Sequence, residues 1–162
     1  MYQGDSMKLA DIVCLDAIVA QLESTERDKV IQELVASLSK HKKLQGADPK
    51  MLAKAVIKRE NEASTGIGKG VAVPHVKHES ITEPVAVVGC SQNGIDFSSL
   101  DKQPVYSVFL LLSPTNKPDK HLQAMETIFK NLQKDDFRRF LRQAQTRQEI
   151  IEAIRDADED AG

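Results

Sequence analysis

Tryptophan is absent from this chain, and aromatic residues make up only 4% of it. A protein that grips nucleic acid by stacking bases on rings has little to build with here. Charge of one sign is lacking as well: 22 basic residues face 24 acidic ones, for a net charge of −2. That balance is not the electrostatic footprint of a nucleic-acid binder. No apolar run nears the roughly 20 residues that a membrane-spanning helix needs; the longest, 105–112, is interrupted by Tyr106 and Ser107. Residues 1–6 hold neither a basic nor an apolar stretch, so neither a signal peptide nor membrane insertion is expected. The two cysteines, Cys14 and Cys90, sit far apart in apolar segments. They read as reduced, buried thiols of a cytoplasmic protein rather than as a disulfide. Internal repeats and low-complexity linkers are missing too, so the 162 residues are expected to form one domain, 1–162, with a sizeable core.

What is present is ordinary globular material, 41% hydrophobic and 28% charged. After a polar leader, 9–19 is apolar and irregular. Helix signals begin at Ser24 or Thr25 and put Val30, Ile31, Leu34, Val35 and Leu38 on one face. Lys40, His41, Lys42 and Lys43 close that helix, where positive charge complements the helix dipole. Asp48-Pro49 reads as the cap and first-turn proline of a second helix, running through Leu52 and Val56 to Arg59 and Glu60. The stretch 71–73 reads as a short strand, and 85–90 and 105–112 as strands apolar enough to be buried on both faces. A further short strand is expected over 95–97, leaving an Asn93-Gly94 turn. Three more helices follow. One starts near Pro118 or Asp119, with Leu122, Met125, Phe129 and Leu132 inward. Asp135 caps the next, with Phe137, Phe140 and Leu141 inward, and Thr146-x-x-Glu149 has the spacing of a capping box before Ile150, Ile151 and Ile154. The acidic tail, 156–162, is expected to fray. Strands in the middle of the chain with helices on either side make an α/β sandwich.

The chemistry concentrates in 61–75. Ser64 and Thr65 precede three glycines, Gly66, Gly68 and Gly70, and a short apolar strand ends at Pro74 and His75. Bare glycines let backbone N–H groups approach phosphate oxygens, and the two hydroxyls either add donors or hold the loop by local bonds. Arg59 brings a planar guanidinium suited to phosphate. Proline has no N–H for a sheet ladder, so His75 is expected at a strand end, where a partner can reach it. An imidazole there is neutral and nucleophilic near pH 7 and suits a phosphoryl carrier.

The strings Arg59-Glu60 and Ser64-Thr65-Gly66-Ile67-Gly68-x-Gly70-Val71-Ala72-Val73-Pro74-His75 resemble one family's active-site segment. That family is the enzyme IIA domains of fructose, mannitol and nitrogen-regulatory type, from the bacterial phosphoenolpyruvate-dependent phosphotransferase system. Ile95-Asp96-Phe97, Gln103-Pro104-Val105, the strand Phe109-Leu110-Leu111-Leu112-Ser113-Pro114 and His121-Leu122 resemble later parts of it, so the likeness covers roughly 7–155. It implies an α/β fold, a mixed β-sheet flanked by helices on both faces. It implies a phosphocarrier, a transferase component phosphorylated on His75 by an HPr-type donor protein. His121 would be the second active-site histidine, with Arg59 clamping the moving charge and the loop Ser64, Thr65, Gly66, Gly68 and Gly70 contributing to phosphate binding. Proximity in sequence to His75, not the resemblance, suggests Ile67, Val71 and Val76 as an apolar rim on which the donor would dock. No cofactor is expected.

Two roles follow from the resemblance. A nitrogen-regulatory member controls partners, such as transporters or kinases, through its phosphorylation state. A sugar-transport member passes the group to a IIB domain. The Ser-Thr-Gly-Ile-Gly phrase and the Ile-Asp-Phe to Gln-Pro-Val region favour the regulatory branch. The chain departs from the family's usual pattern at Val76-Lys77-His78 and at Lys117-Pro118-Asp119. A third reading, a binding module without phosphotransfer, conflicts with the intact His75, His121 and Arg59. A metal site on His75-x-x-His78 would need ligands that no recognisable spacing provides. Lys69 lies in no nucleotide-binding fingerprint.

Overall fold

The computed structural model describes residues 7–159. The polar leader 1–6 and the end of the acidic tail, 160–162, lie outside the described residues. The elements in order are helix α1 (Leu9–Ile12), a single 3-10 turn (Leu15–Ala17), α2 (Arg27–Lys40), α3 (Pro49–Glu62), strands β1 (Gly66–Gly68), β2 (Val71–Ala72), β3 (His75–Lys77), β4 (Val85–Ile95) and β5 (Val105–Ser113), then α4 (Pro118–Leu132), α5 (Asp135–Gln143) and α6 (Arg147–Glu159).

β5 is the spine of a mixed sheet. Along one side, β2 and then β3 run parallel to it in a single broken line, Val71 opposite Ser107 and His75 opposite Leu111. Along the other, β4 runs antiparallel, and β1 pairs antiparallel with β2 at the edge. The irregular segment after α1 extends the sheet past β4, since Cys14 N–H donates to Ala86 O (2.8 Å) and Cys90 N–H to Val19 O (3.0 Å). The expected separate strand at 95–97 is not formed. β4 continues through a bulge to Ile95, which pairs with Val105, and Gly94 at φ +89° takes the bend that the Asn93-Gly94 signal marks.

Side chains alternate across the two faces, as pleating demands. Ala86, Val88, Phe109 and Leu111 pack with α1, α4, α5 and α6, while Val87, Leu110 and Leu112 pack with α2 and α3. α2 buries the five residues its period predicts. Asp48 caps α3 by accepting from Lys50 N–H at 3.0 Å. The Thr146–Glu149 capping box is made in both directions. Both cysteines are free and buried, and burial pushes the Cys90 thiol up to about 11.

Four details differ from the pattern-based expectation. Asp135 is the first residue of α5 rather than its cap, which is Lys134. Phe140 stays 42% exposed beside Arg139. The acidic tail is tied down as far as Glu159: both Asp158 carboxylate oxygens accept backbone N–H groups at the start of α1, from Leu9 (2.7 Å) and Ala10 (3.0 Å). Most consequential is α4. Its buried face is Ala124, Thr127, Ile128, Asn131 and Leu132, not the Leu122–Met125–Phe129 line. Thr127 and Asn131 satisfy themselves on carbonyls one turn back (2.8 Å each), so polar residues can face the core. Small Ala124 lets the helix come close, and Leu122 is left 59% exposed with Met125 and Phe129 half-buried beside it.

Candidate active site

Pro74 breaks the line between β2 and β3 because it has no N–H to offer β5. Its carbonyl still accepts from Leu111 N–H at 3.0 Å, which keeps the register and starts β3 at His75. Paired residues of adjacent strands share a face, so His75 and Lys77 lie on the side of Leu111 and Ser113, towards α4. The first turn of α4 brings His121 over that face. The two rings are 5.8 Å apart between centroids and tilted by 42°.

The ring nitrogens have distinct jobs. His75 Nδ1 donates to Val73 O at 2.7 Å. A carbonyl only accepts, so Nδ1 carries the proton and the lone pair sits on Nε2. His121 Nδ1 is hydrogen-bonded to the hydroxyl of the buried Ser113 at 2.8 Å. Both rings titrate below the ordinary imidazole value. For His75 the main cause is burial, with Arg59 and Lys77 adding to it; Val73 O and Glu60 oppose it. For His121 burial again leads, followed by His75 and Lys77. Two neutral imidazoles therefore face each other at pH 7, one with its nucleophilic nitrogen identified.

Arg59 reaches the site from the last turn of α3. One Nη1 bond goes to Ala63 O (3.0 Å), and the planar fork holds further donors for an anion. The hydroxyls of the preceding loop are engaged within the protein. Ser64 Oγ donates to Phe97 O and accepts from Gly66 N–H (3.0 Å). Thr65 donates both its N–H (2.6 Å) and its hydroxyl (2.7 Å) to the Glu60 carboxylate. Gly66 is needed for close approach, since a Cβ there would run into Ser99, 3.0 Å from its Cα. Gly68 and Gly70 flank the hairpin turn, and Gly70 O accepts from Tyr106 and Ser107 N–H. That end of β5 lies four residues from His75's register, about 13 Å away. The structure thus sets His75 and His121 ring to ring with Arg59 near enough to act on His75, ties Ser64, Thr65 and Gly66 into the loop that precedes them, and leaves Gly68 and Gly70 apart.

Three groups escaped notice in the sequence: Val73 O, which sets the His75 tautomer; Ser113, which orients His121; and Glu60, which clasps Thr65. Only Glu60 left a signal, as the acid that follows Arg59 in the charged last turn of α3. His78 pairs with Ser80 instead, through its Nδ1 (2.7 Å to the hydroxyl). Among the described residues no cluster of three metal-ligating side chains occurs. Of the expected docking rim, Val71 is buried in the core, while Ile67 and Val76 are half-buried. The more exposed apolar surface is on α4, where Leu122, Met125 and Phe129 line a shallow groove beginning at His121. Lys117 and Lys120 both pair with Glu83, which ties the start of α4 to the segment after β3.

A mixed α/β fold that holds two neutral imidazoles at one strand end defines a protein that passes a group by way of histidine. The sequence model described as the phosphoenolpyruvate-dependent sugar phosphotransferase system, EIIA 2, matches residues 12–157, and the chain belongs to that family. It is therefore a phosphohistidine-carrying component of a phosphotransferase system. It is 34% identical over 94% of its length to the fructose-specific EIIABC component of Bacillus subtilis (strain 168), of which it spans only 24%. It is 32% identical over 91% of its length to a nitrogen regulatory protein of Bradyrhizobium diazoefficiens, covering 95% of that protein. The fold matches a crystal structure of the nitrogen regulatory protein IIA-Ntr from Neisseria meningitidis with a TM-score of 0.81 at 23% identity, over 90% of this chain and 98% of that one. No helix among the described residues is long and apolar enough to cross a membrane.

Proposed function

We propose that His75 is the phosphorylated residue, that an HPr-type protein is its donor, and that the chain acts mainly as a nitrogen-regulatory signal. The observation carrying the first part is the His75 Nδ1 bond to Val73 O, which leaves Nε2 as the nucleophile beside His121. Nε2 attacks the phosphorus on the donor's histidine in line. Arg59 and the neutral His121 supply donors to the oxygens that carry the developing charge. Ser64, Thr65 and Gly66 contribute by fixing the segment that ends in His75. The donor docks over the His121–Leu122–Met125–Phe129 groove, a largely apolar strip that begins at His121, the ring beside His75.

The regulatory role is supported by the Ser64-to-Gly68 and Ile95-to-Val105 motifs and by the nitrogen regulatory relative. Delivery of the phosphoryl group to a IIB domain is the alternative, supported by the equally similar fructose-specific relative. The test is intact mass after incubation with phosphoenolpyruvate, enzyme I and an HPr-type donor. An acid-labile gain of one phosphoryl group is expected for the wild type and not for His75→Ala. A gain that persists in the variant would move the acceptor elsewhere. Rapid loss of the label to an added fructose-type IIB domain would favour transport; retention would favour the signal.

A further inference from the structure

Arg59 and Glu60 arrive together at His75 from the last turn of α3. Glu60 is only 2% exposed, and its carboxylate clasps Thr65 through both N–H and hydroxyl, at 2.6 and 2.7 Å. Thr65 O accepts from Val73 N–H at 3.2 Å, and Val73 O accepts from His75 Nδ1 at 2.7 Å. A buried carboxylate is thus joined to the proton-bearing nitrogen of His75 by two intervening residues, each bonded at both ends. The charged and titratable groups acting on the ring are Arg59 and Glu60 from α3, Lys77 from β3 and His121 from α4. Arg59 and Lys77 are positive; Glu60 supplies the negative charge.

That sign matters once the ring is phosphorylated. When Nε2 attacks, the Nε2–P bond forms and the donor's N–P bond breaks, with its electron pair returning to the donor nitrogen. His75 keeps its Nδ1 proton, so the product is a phosphorylated imidazolium with a positive ring. On onward transfer the Nε2–P pair returns to Nε2, and the ring is neutral again. No proton needs to leave Nδ1 in either step, provided the positive ring is stabilised. We propose that Glu60 is the positioning residue and counter-charge for that ring: through Thr65 and Val73 it holds Nδ1–H in place and governs how readily the phosphoryl group leaves. A buried carboxylate that fixes a histidine tautomer and steadies its cationic form is established catalytic logic, and burial keeps its field from being screened. The proposal rests on His75 being the acceptor.

The test compares Glu60→Gln, which removes the charge, with Thr65→Val, which removes a bracing hydroxyl and keeps the charge. The readouts are the His75 titration by ¹⁵N NMR on unphosphorylated protein and the pH profile of phosphohistidine hydrolysis. Glu60→Gln is expected to move both midpoints to lower pH by roughly half a unit or more, and to slow onward transfer; Thr65→Val is expected to leave the midpoints in place. Equal shifts in the two variants would reduce Glu60 to a loop brace, and no shift in either would remove it from the site; both overturn the proposal. If Glu60→Gln does not fold, the wild-type titration decides. A second inflection in the His75 shifts as Glu60 protonates supports the coupling, and a single-site curve overturns it. The free-ring titration needs no phosphorylation. A wild type that titrates as expected but never gains the group would therefore sink only the acceptor assignment.

Discussion

At the residue scale, the arrangement keeps both imidazoles neutral and fixes the tautomer of one. Burial lowers both histidines, and the Val73 carbonyl decides which nitrogen of His75 is free. Because the ring titrates below the ordinary imidazole value, the rate of phosphorylation is expected to fall to half only at a pH below about 6.5. A rate that halves near pH 7 would contradict the shift. Ser113 has a separate task. Ser113→Ala removes the partner of His121 Nδ1, and transfer slower by about 2- to 10-fold is expected, the range for losing one hydrogen bond that orients the neighbouring ring. Single-turnover transfer from the phosphorylated donor, with the melting temperature as a folding control, separates this from general damage.

At the element scale, α4 is turned away from the face its hydrophobic periodicity predicts: Leu132 is buried as expected, Met125 and Phe129 only edge the core, and Leu122 is exposed. Ile128 is fully buried, and Ile128→Ala should cost about 2–5 kcal/mol in a urea melt. Phe129, one position on, belongs to the half-exposed strip beside His121. Phe129→Asp should raise the donor concentration needed for half-maximal phosphorylation while costing much less stability than Ile128→Ala. The opposite ranking would place the strip in the core. Leu122, Met125 and Phe129 have the spacing of a core stripe that continues to the buried Leu132, but a partner surface is greasy too. Thr127 and Asn131 look polar in the sequence and become core residues only because the helix's own carbonyls satisfy them.

At the scale of the whole molecule, the sheet carries two cores and the site lies at the end of its central line. Folding takes His75 and His121 out of water, and the unfolded chain gains protons first as pH falls. Stability from this source is fully present above about pH 6.5, the unfolded value, and is lost as pH drops towards the lowered folded values. The urea midpoint should therefore fall between pH 7.5 and 5.5, and the fall should shrink in a His75→Gln, His121→Gln double variant. The depressed carboxyls of Glu83 and Glu149 act in a lower window, below about pH 4.5, and do not blur this comparison.

Much of this was legible in the chain itself. Asp48-Pro49, Thr146-x-x-Glu149, the α2 stripe and the apolar runs of β4 and β5 are local patterns, set by caps, periodicity and the missing N–H of proline. The segment up to His75 is legible as a local string of glycines, hydroxyls and a proline, although Ser64 and Gly66 take their partners from Phe97 and Ser99. What only the tertiary structure decided depends on groups distant in sequence. His121 lies over His75 because β3 and α4 share the ends of β5. Ser113 meets His121 because the β3–β5 register puts it on the same face as His75, which α4 covers. The glycine turn ends up at Tyr106, far from the ring it precedes. Glu60 meets His75 through Thr65 and Val73 because a hairpin folds back on the end of α3. The physical reason is that strand register and helix approach are fixed by packing of the two cores, which no short window of sequence contains.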